Sequence, residues 1–337
     1  MTLLSTFRIP LSTEKDYLCR RYSEEMKLLY DLIYVVWYLL SLLPLRVHYI
    51  ISDGLYLLIY YVIGYRRKVV RENLITAFPE KEEDEILYIE RDFYHFFCDY
   101  IAESVKLMTI SPENLRKRMV FKGTELIDEV VESGQSCAVY LGHYGNWEWV
   151  TSLPLWVTPK AQCGQIYHPI ENPEFDRLFL RLRQRLGAVC IPMQDTLRRI
   201  IEFRRDNQPV VIGYISDQKP HWVNIHHWVD FLHHDTPVLT GTERIAKKVN
   251  HAVFYLDVRL LQRGYYEAEF KLITRTPQQL SDYALTDAYF SLLERSILRA
   301  PGFWLWSHNR WARTREEFNA RFEVIDGKVI AKKVDNS

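Results

Sequence analysis

The chain has 337 residues, enough to bury a substantial core as one large domain or two small ones. Its 43 Lys+Arg offset 43 Asp+Glu, so no global charge directs it to nucleic acid. The 22 Tyr, 16 Phe and 9 Trp suit a core, or a surface that meets lipid headgroups. Cys19, Cys98, Cys137, Cys163 and Cys190 are scattered, odd in number and free of any CxxC pair. That pattern argues against a disulfide framework and a thiolate metal site, and fits a reducing compartment.

Residues 1–25 are polar and mixed in charge, with no cleavable signal pattern. Leu28 to Leu45 is then nearly all apolar, broken by Asp31 and Ser41 and closed by Pro44. Its eighteen residues sit near the lower limit for spanning a bilayer, ~17–25 residues. Tyr49 to Tyr65 is also apolar but contains Ser52, Asp53 and Gly54, which reads as an interfacial helix. The competing reading is a buried core helix, and a membrane hairpin is a further alternative. Arg46, Arg66, Arg67, Lys68 and Arg71 follow the first apolar run, which by charge bias puts the body of the protein in the cytoplasm. Pro79 should end one helix, and Glu82 to Met108 should form the next, with Glu103 read as a solvated helix residue.

The centre of the chain carries the chemistry. Cys137 to Leu141 reads as a buried strand, Gly142 and Gly145 permit a tight turn, and Asn146 can cap a helix through Trp147, Glu148 and Trp149. On one continuous helix His143 and Glu148 would point about 140° apart, so they meet only if the glycine turn folds the imidazole back. A histidine held by a carboxylate, with no nucleophile in the motif, suits proton abstraction from a substrate hydroxyl, as in acyl transfer to an alcohol. The bland reading is a hydrogen-bonded turn histidine and a solvated glutamate.

Beyond it, short strands alternate with helices, which predicts a mostly parallel sheet. Cys163 to Tyr167 is a strand. A helix follows with Arg177, Arg181 and Arg185 on one stripe and Leu178, Leu182 and Leu186 on the next. Pro209 to Ser216 is another buried strand, and Asp217 at its carboxyl end is placed to line a ligand site. Ala252 to Leu261 and Tyr265 to Ile273 pair around Gly264. His226-His227 and His233-His234 lack metal-ligand spacing and read as a polar loop over a site entrance. There is no GxSxG elbow, P-loop or GxGxxG.

His143-Tyr-Gly-Asn-Trp-Glu148 resembles the HX4E block of the bacterial lipid A late acyltransferases, the lauroyl and myristoyl transferase family. Further blocks resemble that family in order: Asn73-Leu74 with Phe78-Pro79, Asn172-Pro173 with Asp176, Arg183 and Gly187, Asp217-Gln218, and His308 with Arg310. His168 stands where an arginine is expected, and Leu232-His233 where Phe-Gly is frequent. Met26-Lys-Leu-Leu-Tyr resembles the family's opening, which suggests a true start at Met26.

The resemblance implies a single α/β domain of the glycerolipid-acyltransferase type, with a mostly parallel central sheet flanked by helices and an N-terminal membrane helix. It divides the chain into a polar extension (1–25), membrane-anchoring helices (26–65) and an acyltransferase domain (66–337). The implied activity moves a fatty acyl chain from acyl carrier protein to a hydroxyl of a lipid A precursor at the cytoplasmic face of the inner membrane. His143 would be general base, oriented by Glu148, with Asn146, Arg183, Asp217, His308 and Arg310 binding substrate. No metal or cofactor is implied. The arginine stripe would be a solvated face, or would receive the acidic carrier protein or an anionic headgroup. Arg310 would grip a lipid phosphate, or else pair with a structural carboxylate. Two rivals stand: an acyltransferase with an aminolipid or glycolipid acceptor, and a non-catalytic membrane lipid-binding protein of the same fold.

Overall fold

The computed structural model describes residues 30–325 and 327–332. The readings of residues 1–25, of Met26 as the start and of Cys19 lie outside the described residues. The apolar N-terminal run is divided. Helix α1 (Tyr30–Leu42) stops ahead of Pro44, because a proline disfavours helical angles in the residue before it. Helix α2 (Leu45–Leu57) then begins and continues as a π-helical turn over Leu58–Ile63. The two stretches meet at a bend of 118°, and no single helix among the described residues is long and apolar enough to cross a membrane. The described parts of the two apolar stretches, Leu28 to Leu45 and Tyr49 to Tyr65, thus fall on the two arms of this bent pair.

Helices α3 (Arg67–Ala77) and α4 (Glu83–Lys106) follow, separated by Pro79 as expected. The α2–α4 contact is polar. Ser52 donates to Asp99 at 2.6 Å, Tyr49 to Glu103 at 2.9 Å and Tyr60 to Glu90 at 2.9 Å. Glu103 is therefore fully buried, which corrects its reading as a solvated residue.

The rest of the chain builds one seven-stranded sheet. Its strands are β1 (Met119–Lys122), β2 (Cys137–Leu141), β3 (Gln162–Tyr167), β4 (Val189–Pro192), β5 (Val210–Ile215), and, after the separate hairpin β6 (His227–Phe231) and β7 (His234–Val238), β8 (Ala252–Gln262) and β9 (Tyr265–Thr274). The order is β1-β9-β8-β2-β5-β3-β4, and every neighbouring pair is parallel except β8–β9. β2 is buried at all five positions and lies mid-sheet between β5 and β8, as a continuous apolar run should. Connecting helices are α5 (Pro112–Arg118), α6 (Thr124–Glu132), α7 (Pro173–Gln184), α8 (Thr196–Arg205), α9 (Gly241–Val249) and α10 (Ala284–Arg299). The chain closes with α11 (Arg315–Arg321) and the hairpin β10 (Phe322–Ile325) and β11 (Lys328–Ala331). Because β2 and β5 are adjacent and parallel, their carboxyl ends bring His143 and Asp217 together.

Candidate active site

The turn after β2 is built by close approach. A Cβ on Gly142 would lie 2.7 Å from Leu293 Cδ1 and 3.3 Å from Asp217 Oδ2. Gly145 has φ +62°, and a Cβ there would meet Val258 Cγ1 at 2.7 Å. The far side of the turn is pinned to the loop before His308: Gly145 N–H donates to Phe303 O at 2.9 Å, and Leu305 N–H to His143 O at 3.1 Å. Asn146 Oδ1 accepts from Trp149 N–H at 2.9 Å, but the expected helix through Trp147 and Glu148 is absent: a 3-10 helix begins only at Trp149, with Glu148 in its cap position, and Asn146 braces the turn before it.

Asp217 grips His143 twice. Its Oδ1 meets the ring Nδ1 at 2.7 Å, and its Oδ2 accepts the His143 backbone N–H at 2.8 Å and the Trp304 Nε1–H at 2.8 Å. Burial alone would push the Asp217 carboxyl up; the charge and hydrogen bonds of His143, with Trp304, outweigh it and hold the group down to about 2. Asp217 is accordingly ionised at neutral pH. This fixes the imidazole with Nε2 directed away from Asp217, where the nearest polar side chain is the Gln218 amide, 3.5 Å away. The His143 side chain keeps 20% of its surface exposed.

Glu148 does not make the contact expected of it. Its carboxylate takes two hydrogen bonds from Arg183, at 2.9 and 2.5 Å, and lies 3.5 Å from the Tyr100 hydroxyl. The orienting carboxylate on His143 is Asp217, because the turn carries the Glu148 side chain toward α7. Glu148 is linked to the imidazole only through other rings: Tyr100 packs on Trp147 with ring centres 4.1 Å apart, and Trp147 meets the His143 ring edge-on at 5.2 Å.

The other sequence-derived positions divide. Asn146 is fully buried, and its Nδ2 donates to Glu103 at 2.6 Å, so both ends of the amide brace the turn. Arg183 is committed to Glu148. Asn172 caps α7 by accepting from Glu174 and Phe175 N–H, and Asp176 holds Ile170 N–H, so this block is a loop-to-helix clasp. Of the arginine stripe, Arg185 donates to Leu107 and Ile110 carbonyls and Arg177 pairs with Glu174, whereas Arg181 lies over Tyr34. His168 is exposed and contacts only its neighbour's carbonyl.

His308 accepts Lys219 N–H at 3.3 Å, and burial lowers its pKa to about 4, so it is neutral. Arg310 is fully buried and meets no carboxylate; Nη2 donates to Pro237 O at 2.8 Å. Asn73 explains its own block by donating to the Trp306 and His308 carbonyls, both at 2.9 Å. The double histidines fall on the β6–β7 hairpin, where His227 bonds Asp287 and His234 stacks on Trp311.

Sequence reasoning underrated Glu103. It accepts hydrogen bonds from Tyr49, Asn146 and Tyr266, tying α2, the catalytic turn and β9 to one carboxylate. The signal was present, since Glu103 continues the stripe Ile89, Phe93, Phe96 and Tyr100 at helical spacing.

The model of the family described as bacterial lipid A biosynthesis acyltransferase matches residues 21–313. The lipid A biosynthesis myristoyltransferase of Escherichia coli K12 is 24% identical over 177 residues, which cover 52% of this chain and 53% of that protein. The lipid A biosynthesis acyltransferase 2 of Shigella flexneri is 23% identical over 162 residues, covering 48% and 49%. These alignments span about half the length of each relative.

Proposed function

From the premise that the chain belongs to the bacterial lipid A biosynthesis acyltransferase family, we propose that it transfers a fatty acyl chain to a hydroxyl of a lipid A precursor. The observation that carries this reading is the His143–Asp217 pair: Nδ1 is held by the carboxylate, the side chain keeps 20% of its surface exposed, and among the described residues no hydroxyl or thiol is hydrogen-bonded to Nε2. In the proposed reaction His143 Nε2 takes the proton of the acceptor hydroxyl as its oxygen attacks the acyl thioester carbonyl. Collapse of the tetrahedral intermediate expels the thiolate, and the imidazolium returns the proton to sulfur. Asp217 holds the ring and stabilises its charged form. Glu148, clamped by Arg183, positions Trp147 against the ring.

The free cysteines suit this route. Desolvation pushes the buried Cys98 and Cys163 thiols up to about 12 and the half-buried Cys190 thiol up to about 11, which disfavours a thiolate acyl-enzyme. The proposed donor is acyl carrier protein. The proposed location is the cytoplasmic face of the inner membrane, supported by exposed apolar side chains on α1, α2 and the π-helical turn after it (among them Leu39, Leu42, Ile50, Val62 and Ile63) and by the basic run from Arg66 to Arg71.

Mass spectrometry of lipid A from cells with and without the gene tests the reading. The expected result is loss of one acyl chain, restored by the wild type and not by His143→Ala. Unchanged lipid A overturns this acceptor and directs the search to aminolipids and glycolipids.

A further inference from the structure

Four cationic residues meet along the segment from Ser307 to Arg313, which follows the loop pinned to the turn that carries His143. Arg66 follows the π-helical turn and donates from Nη1 to Ser307 O at 2.9 Å. Lys219 follows Gln218, and its backbone N–H meets His308. Arg313 lies over the Trp222 ring at 5.2 Å. Arg310 is fully buried, and its Nε and Nη1 have no hydrogen-bond partner. Among the described residues the carboxylates in range are already taken: Asp217 by His143 and Trp304, and Glu317 by Arg321.

Such an arrangement is costly when empty. A buried guanidinium with idle donors loses its hydration without replacement, and like charges oppose one another. Burial, and then Arg313, Arg66 and Arg310 in that order, press the Lys219 ammonium below its ordinary pKa. A compact dianion would relieve both costs, since its oxygens accept several N–H donors at once.

We propose that Arg66, Lys219, Arg310 and Arg313 form a subsite for a phosphate ester, seated beside His143. Two phosphate sources meet in the proposed reaction: a phosphate monoester of the lipid acceptor, which is a dianion, and the phosphodiester of the donor's pantetheine arm, which carries one charge. The lipid is favoured by position. Arg66 comes directly after the exposed Tyr61, Val62, Ile63 and Tyr65, so the cluster stands at the headgroup edge of the apolar surface. The identity of that lipid as an acyl acceptor rests on the acyltransferase reading, whereas the subsite does not.

The test separates them. Inorganic pyrophosphate is titrated calorimetrically into the full chain in detergent, for the wild type, Lys219→Met and Arg313→Gln, which spare buried Arg310. Each variant should bind about tenfold more weakly, as loss of a charged hydrogen bond implies. Equal affinity in all three overturns the subsite. In acyl-transfer assays both variants should raise KM for a phosphorylated acceptor and leave the donor KM unchanged. A rise in donor KM alone overturns the lipid assignment in favour of the pantetheine phosphate. Pyrophosphate binding that depends on Lys219, in a wild type that transfers no acyl chain, keeps the subsite and sinks the acyltransferase reading.

Discussion

Asp217 touches His143 at both the ring and the backbone, 2.8 Å from the main-chain N–H and 2.7 Å from Nδ1, although 74 residues separate them. One carboxylate thus sets both the rotation of the imidazole and the path of the turn that carries it. Asp217→Asn puts an amide where two N–H donors, from His143 and Trp304, now point. Either the ring or those donors lose their acceptor. The expected loss in kcat is on the order of 10²–10⁴-fold, by analogy with other oriented catalytic histidines, with the near-UV circular dichroism of the wild type retained. Turnover within a factor of two of wild type would show that Asp217 does not orient the base.

Glu148 and Arg183 form an ion pair with side chains 5% and 20% exposed, so removing one partner strands the other in a dry place. Glu148→Ala and Arg183→Ala should each cost about 3 kcal/mol. The double variant should lose less than the sum, because no orphan charge remains. Thermal unfolding of the four proteins in detergent measures this coupling. His143→Ala should abolish transfer and also lower the unfolding temperature, because it takes the ring partner from Asp217, whose side chain is 2% exposed. A Glu148→Ala protein as stable as wild type, yet inactive, would instead make Glu148 a direct participant in the chemistry.

Most of the sheet was legible because parallel strands buried on both faces leave continuous apolar runs, as in Cys137 to Leu141 and Pro209 to Ser216. Asp217 was legible for the same reason: strand ends in such sheets face the ligand. The partner of Glu148 was not, because a five-residue spacing suggests contact, while Arg183 reaches it only through the docking of α7. Glu103 was misread because a carboxylate is ordinarily solvated, although it continues an apolar stripe; the hydroxyls of Tyr49 and Tyr266 and the Asn146 amide that satisfy it come from distant parts of the chain. The bend at Pro44 was visible as a proline, but which way α2 turns is decided by Tyr49, Ser52 and Tyr60 finding acceptors on α4.

Burial raises Glu103 from 4.5 to about 7, and its hydrogen bonds from Tyr266, Tyr49 and Asn146 only partly oppose the shift. The folded pKa lies above the unfolded one, so between about pH 4.5 and 7 the folded state holds a proton that the unfolded chain has lost. Stability therefore falls as pH rises through that window, by about 3 kcal/mol, and levels off above it. Glu103→Gln removes this term. The variant should gain on wild type as the buffer moves from pH 5 to pH 8, read as a narrowing or reversing gap in unfolding temperature. A gap that does not change with pH would mean that Glu103 keeps one protonation state throughout.

The β6–β7 turn carries backbone strain. Leu232 and His233 have φ of +51° and +63°, the left-handed region that β-carbons disfavour. Leu232 is held there by burial and by its N–H donating to Glu294 at 2.6 Å. His233 is exposed and so brings no compensating burial. His233→Gly should therefore stabilise the protein by about 1 kcal/mol, because relief of the left-handed penalty outweighs the added freedom of the unfolded chain. Leu232→Gly should destabilise despite the same relief, since it also empties a buried site. Unfolding temperatures of the two variants against wild type decide the matter. Loss of stability in His233→Gly would mean that the imidazole makes a contact that offsets the strain.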